Sequence, residues 1–192
     1  MGLAGWWGDE GAGVTRIVAG QARGRRLAVP DGARPTGDRA REGLFSSLET
    51  LTDLEGARVL DLYAGTGALG LEALSRGAAS VVLVDHDGGA AGVLRRNAEA
   101  VGLPGAEVVH APVDRWLAGP AAAYALFDVV FLDPPYAQAT LPLPALRPLL
   151  AEDAVVVVER SARDAALAWP DGYEGLRSRR YGEAMIWIGV PV

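Results

Sequence analysis

The chain has 192 residues, a length that fits one domain with at most a small appendage. No apolar run approaches the roughly 20 residues of a membrane helix, and the N-terminus lacks the charged-then-apolar order of a signal peptide, so a cytoplasmic protein with no membrane partner is expected. Cysteine is absent, which removes disulfides, thiolate catalysis and cysteine zinc sites, and the two histidines, His86 and His110, lie in separate segments, so no metal is expected.

Residues 1–13 (MGLAGWWGDEGAG) are glycine-rich and aperiodic and are expected to be a disordered, dispensable tail. One explanation is a start assigned too early, with the natural start at Val14. Residues 14–37 read as a β-hairpin, with apolar stretches at Ile17–Ala19 and Leu27–Val29 around Gly20 and Gly24, and then a loop, PDGARPTG. This stretch is an arginine arm. Between Val14 and Arg41, seven arginines (Arg16, Arg23, Arg25, Arg26, Arg34, Arg39, Arg41) face only Asp31 and Asp38. The local balance of +5 leaves −11 elsewhere against a total of −6, an asymmetry suited to a polyanion partner.

Residues 38–192 read as the main domain. Leu44, Phe45, Leu48 and Leu51 recur at helical spacing after Asp38, which is placed as N-cap of a helix to about Leu51. Strands and helices then alternate. Strands are expected at Val59–Leu62, Val81–Val84, Val108–Val109, Phe127–Leu132 and Val155–Val158, with helices at Ala68–Ser75, Ala90–Ala100, Val113–Leu117 and near Ala145–Leu150. Two further strands, near Leu176–Arg180 and Ala184–Val190, flank Tyr181-Gly182-Glu183, a hairpin that makes the last strand antiparallel. Such alternation predicts an α/β, mostly parallel sheet covered on both faces.

Gly65, Gly67 and Gly70 carry the G-x-G-x-x-G spacing between a strand and a helix. Dinucleotide folds share that spacing. Asp61, at the strand end just before the turn, tilts the reading, because it would repel a pyrophosphate and welcome a cationic amino-acid group. Asp85, ending the next strand, can accept two hydrogen bonds from a ribose diol, and Asp114 can either meet an adenine amino group or cap the helix that follows. Tyr63, Thr66 and His86 belong to the same cofactor-binding turns.

Asp133-Pro134-Pro135-Tyr136 after Phe127–Leu132 is the most specific motif. The lone pair of a nucleobase amine is delocalised into the ring. Two acceptors, the Asp133 carboxylate and the Pro134 carbonyl, would direct the amine's two N–H groups and free the lone pair for a methyl sulfonium, while Tyr136 offers a stacking face. The prolines hold the carbonyl in place.

These residues resemble the RsmD family, the 16S rRNA (guanine(966)-N(2))-methyltransferases, from about Thr15 to the end. Thr15-Arg16-Ile17-Val18-Ala19-Gly20 with Arg23-Gly24-Arg25-Arg26-Leu27 is similar to its N-terminal hairpin, and Arg34-Pro35-Thr36, Asp38-Arg39 and Arg41-Glu42 to its R-P-T-x-D-R-x-R-E signature. Asp61–Gly67 resembles the cofactor motif and Asp133–Tyr136 the catalytic motif. Asp85 stands where the family commonly has glutamate, and residues 1–13 have no counterpart.

The resemblance implies a Rossmann-like class I S-adenosylmethionine-dependent methyltransferase. Its sheet would have seven strands, mostly parallel with an antiparallel last strand, plus a small N-terminal hairpin extension. It implies transfer to guanine N2 in 16S rRNA, in the small ribosomal subunit or an assembly intermediate. The catalytic set is Asp133, Pro134, Pro135 and Tyr136, and the RNA-binding set Arg23, Arg25, Arg26, Arg34, Arg39 and Arg41. A monomer is expected. Alternatives are a DNA or other RNA amino-methyltransferase, a methyltransferase acting on protein glutamine, and a non-catalytic RNA-binding assembly factor.

Overall fold

Runs of valine and leucine without polar interruption form the central strands, because only a strand covered on both faces buries such a run. The computed structural model describes residues 14–29, 37–135 and 140–192; the expectations for residues 1–13, Arg34 and Tyr136 lie outside the described residues. A two-stranded antiparallel ribbon, β1 (Val14–Arg16) with β2 (Arg26–Ala28), precedes α1 (Asp38–Leu48), β3 (Arg58–Leu62) and α2 (Ala68–Ser75). Next come β4 (Ser80–Asp85), α3 (Gly88–Val101), β5 (Ala106–His110), α4 (Val113–Leu117) and β6 (Phe127–Leu132). The chain ends with α5 (Leu143–Leu146), β7 (Leu150–Ser161), β8 (Tyr173–Tyr181) and β9 (Ala184–Pro191).

The main sheet has the order β5-β4-β3-β6-β7-β9-β8. From β5 to β7 all neighbours are parallel, and β9 lies antiparallel between β7 and β8. The expected architecture is therefore present. From β3 the chain steps outward to β4 and β5, then returns to the other side of β3 as β6. That reversal opens a crevice at the carboxyl ends of β3 and β6, where open α/β sheets take their ligands.

Alternation along each strand divides the core. Val59, Leu83, Phe131, Val157, Ile186 and Ile188 pack with α1, α2, α3 and the ribbon residues Ile17 and Leu27. Leu60, Val84, Leu132 and Val158 pack on the opposite face with Trp116 and Leu117 of α4 and Leu143 and Leu146 of α5. The ribbon thus shares the main core.

Several expectations are corrected. The first ribbon strand is Val14–Arg16, not Ile17–Ala19, because the Val18 and Ala19 amides instead donate to the Glu72 carboxylate, at 2.7 and 2.9 Å. Gly37, not Asp38, caps α1, and Asp38 uses its carboxylate on Arg16 and Arg41. That helix stops at Leu48, after which the chain tightens into three-residue turns, with the Thr50 amide donating to the Ser47 carbonyl and the Leu51 amide to the Leu48 carbonyl. Helix α3 starts at Gly88, since Asp87 caps it by accepting from the Ala90 amide at 2.7 Å. Pro112, not Asp114, occupies the cap position of α4. The helix expected near Ala145–Leu150 is one α turn at Leu143–Leu146 and a 3-10 turn at Arg147–Leu149, in a segment that Pro142, Pro144 and Pro148 deprive of amide donors.

Candidate active site

Strand alternation carries four carboxylates to one face at one end of the sheet. In β3, β4, β6 and β7, residues facing α1 and α2 alternate with residues facing α4, so Asp61, Asp85, Asp133 and Glu159 continue the first series at the carboxyl ends.

The turn from β3 to α2 is built around glycine. Gly67 has φ +75, and a Cβ there would lie 2.9 Å from Leu94 and 3.1 Å from Leu71. Gly65 has φ +55, and a Cβ there would meet only the Tyr63 carbonyl at 3.9 Å, so this side of the turn faces open space. Tyr63, at φ 62, is the one non-glycine residue with positive φ among the described residues. Strain of this kind persists where the surroundings demand it, and it concentrates at ligand sites.

Asp61 is 2 % exposed and accepts from the Gly70 amide at 2.9 Å. Burial pushes its carboxyl up to about 8, against the pull of that hydrogen bond, and the Asp85 charge adds to the rise. Such a group favours a cation beside it. The two Asp85 oxygens accept from the Gly65 and Asp87 amides, at 2.8 and 2.9 Å, so this side chain ties the glycine turn to the loop after β4. Each oxygen keeps a lone pair for a further donor. His86 is exposed, with Nδ1 3.7 Å from Asp85, and its carbonyl lies 3.0 Å from His110 Nε2. Thr66 is buried and its hydroxyl accepts from the Ala68 amide. Asp114 is exposed in the first turn of α4.

Asp133 follows β6 and its amide points to the Leu62 carbonyl at 3.4 Å, which docks the Asp133-Pro134-Pro135 segment on the strand that carries the glycine turn. Burial raises the Asp133 carboxyl well above the ordinary carboxylate range, and the charges of Glu159 and Asp61 raise it further. Pro134 is buried and Pro135 exposed.

A glycine-built turn, an open face at Gly65, a buried carboxylate suited to an ammonium group and a second carboxylate at the adjacent strand end fit S-adenosylmethionine. Among the described residues no group of three histidine, aspartate or glutamate side chains is placed to hold a metal ion, and no helix is long and apolar enough to cross a membrane.

The arginine arm divides. Arg41 is 0 % exposed; it donates to Thr15 Oγ1, to the Arg16 carbonyl at 2.7 Å and to Asp38 at 2.9 Å, with Glu72 3.8 Å away. It fastens the ribbon to α1 and α2 and cannot reach a phosphate, so its place in the RNA-binding set is withdrawn. Arg23, Arg25 and Arg26 are exposed. The turn bearing Arg23 rests on the far end of α2, where the Gln21 and Ala22 amides donate to Ser75. Eight helical residues span about 12 Å, so that turn lies well away from the crevice. Arg39 is exposed in the first turn of α1.

Three polar residues escaped the sequence reading, the half-buried Glu159 and the buried Glu72 and Asn97. Glu159 follows the apolar run Val155–Val158 of β7 as Asp85 follows Val81–Val84 of β4, and that repetition was the available signal. Glu72 is the single charge in an otherwise apolar helix. Asn97 holds both the Ala28 amide and carbonyl and donates to the Thr66 carbonyl at 2.8 Å, joining the ribbon to the glycine turn.

Residues 15–190 match the family described as Conserved hypothetical protein 95. Over 180 residues the chain is 36% identical to ribosomal RNA small subunit methyltransferase D of Escherichia coli, covering 91% of this chain and 88% of that protein. The solved structure of yhhF from Escherichia coli superposes with a TM-score of 0.81 at 35% identity, covering 93% of this chain and 98% of that one. A hypothetical protein of Thermus thermophilus gives a TM-score of 0.79 at 37% identity over 93% of this chain and all of that one, 100%. Fold and site together define a Rossmann-like, S-adenosylmethionine-dependent methyltransferase. The chain belongs to the RsmD family, whose curated members in Escherichia coli and Haemophilus influenzae bear the name ribosomal RNA small subunit methyltransferase D.

Proposed function

We propose that this chain methylates the exocyclic N2 amine of a guanine in 16S rRNA of the small ribosomal subunit. The observation that carries the reading is the half-buried Asp133, held beside Asp61 at the switch point of the sheet and followed by two prolines. The relatives' name supplies the substrate class.

The cofactor supplies a methyl group on a positively charged sulfur. Asp61 would hold its amino-acid end, Asp85 with His86 its ribose, and Asp114 its adenine, while Tyr63, Gly65, Thr66, Gly67 and Gly70 shape the turn that would receive it. The target amine donates one N–H to the Asp133 carboxylate and one to the Pro134 carbonyl, which leaves its lone pair free along the line of attack. As the new C–N bond forms the S–CH3 bond would break, its electron pair staying on sulfur as S-adenosylhomocysteine leaves, and the amine would release a proton, which Asp133 is placed to accept. Tyr136 would offer a stacking face to the base, which must be unpaired or turned out of its helix. The protein works as a cytoplasmic monomer.

The test is methyl transfer from labelled S-adenosylmethionine to unmodified 16S rRNA, reconstituted small subunits, duplex DNA and protein, followed by nucleoside analysis. N2-methylguanosine from RNA or particle is expected. Label in DNA, in protein or at another base position overturns the assignment.

A further inference from the structure

We propose that the groove between α1 and the edge strand β8 carries the RNA backbone flanking the target base, with Arg177 and Arg179 as its phosphate contacts. This rests on the reading that the substrate is RNA. Nothing in the sequence singled these residues out, because they belong to a body whose net charge is acidic.

Strand topology places them. Strand β8 is antiparallel to β9 and β9 to β7, so β8 runs in the same direction as β6 and β7. Its Tyr181 end therefore lies at the catalytic end of the sheet. Leu132 pairs with Val158, and Glu159 and Arg179 both pair with Ile186. Asp133, Glu159, Ile186 and Arg179 therefore form one row across the sheet. Three strand spacings make that row about 14 Å long. Cross-strand partners share a face, and Ile186 and Ile188 pack towards α1, so Arg177 and Arg179 lie on the face that carries the catalytic carboxylates.

The groove has a volume of about 370 Å³, with Leu44, Ile186 and Ile188 as its floor and Arg177, Arg179 and Tyr181 along its edge. Arg177 donates to Thr50 Oγ1 at 2.9 Å, and the Arg179 guanidinium lies 5.3 Å over the Tyr181 ring. Tyr181 is itself wedged against α1, because Gly43 leaves it room; a Cβ there would lie 2.6 Å from its hydroxyl oxygen. Both guanidinium groups are thus oriented and exposed, yet among the described residues neither is paired with a carboxylate. Arg16, Arg58, Arg76, Arg160 and Arg163 all are. Oriented, uncompensated guanidinium groups bind phosphate through two parallel hydrogen bonds. The favourable stretch runs from Tyr181 to Arg177 and ends near Thr50, where Glu49, Asp53 and Glu55 take over. Arginine on an edge strand can also serve only to prevent edge-to-edge pairing, and the experiment separates the two roles.

The test compares wild type, Arg177→Ala with Arg179→Ala, Arg177→Lys with Arg179→Lys, and Arg180→Ala, whose position faces the other side of the sheet. Binding to unmodified 16S rRNA transcript and to reconstituted small subunits is titrated across salt. The double alanine variant should lose about 10-fold or more in affinity, and its log–log salt slope should fall by roughly 0.7–0.9 per contact, about 1.4–1.8 in all. The lysine variant should keep most of the slope, and Arg180→Ala should match wild type. Melting temperature and S-adenosylhomocysteine affinity should not move. Unchanged RNA affinity and slope in the double alanine variant overturn the proposal. So does a loss confined to the particle, which would assign the groove to a ribosomal protein, or a wild-type dimer that the variant dissociates. A wild type that binds RNA through these arginines but methylates none of it would overturn the proposed function and leave the groove standing.

Discussion

Asp61 and Asp133 are carboxylates whose environment disfavours their charge. For Asp61 the folded value is about 8 against an ordinary 3.8. Between those values the folded chain binds more protons than the unfolded chain, so stability falls as pH rises from about 4 to about 8. Melting curves of the ligand-free protein should show that decline, and Asp61→Asn should flatten it. If Asp61 holds the cofactor's ammonium group as proposed, S-adenosylhomocysteine should raise the melting temperature more near pH 8 than near pH 6; an equal rise would remove Asp61 from the cofactor site. Asp133→Ala should slow methyl transfer by at least ~100-fold while calorimetry shows cofactor affinity little changed, and near-normal turnover would sink its role. Asp85→Ala should do the reverse. It releases the glycine turn from the loop after β4 and removes the proposed ribose acceptor, a loss on the order of 2–3 kcal/mol in cofactor binding.

At the scale of elements, the ribbon is fastened by side chains far away in sequence, and the terminal hairpin by an indole just before it. Arg41 is buried among Thr15, Asp38 and Glu72, and replacing one member of a buried charged set strands the others. Arg41→Ala should therefore destabilise the protein by roughly 3 kcal/mol, as read by urea unfolding, where a surface phosphate contact would scarcely register. In the terminal hairpin, Gly175 and Gly189 pair across β8 and β9, and the Trp169 indole lies over them. A Cβ at Gly189 would stand 2.7 Å from that ring and 2.8 Å from the Glu174 carbonyl. Because the near atoms include backbone, Gly189→Ala should cost about 1–3 kcal/mol, as overpacking does. A variant as stable as wild type would show that the indole can move aside.

At the scale of the molecule, the element order and the two functional motifs were legible in the chain itself. The glycine turn, the strand and helix boundaries at Ala68–Ser75, Val113–Leu117 and Phe127–Leu132, and the Asp133 motif are contiguous, and each is carried by local period or spacing. The antiparallel last strand was legible too, since the Tyr181–Glu183 turn is short and Gly182 has positive φ. The destinations of the charges were not. Arg41 reads like its neighbour Arg39 until α1 turns one inward and the other out. Arg23 and Arg25 sit in an arginine-rich stretch, but the ribbon runs down α2 and carries them away from the crevice. Glu159 reaches the row of Asp133 because β7 pairs with β6, and Arg179 because β9 inserts between β7 and β8. Sequence by itself determined which chemical groups this protein owns and the local frames that hold them. Tertiary structure alone decided which of them meet, because burial and adjacency arise from contacts between segments tens of residues apart.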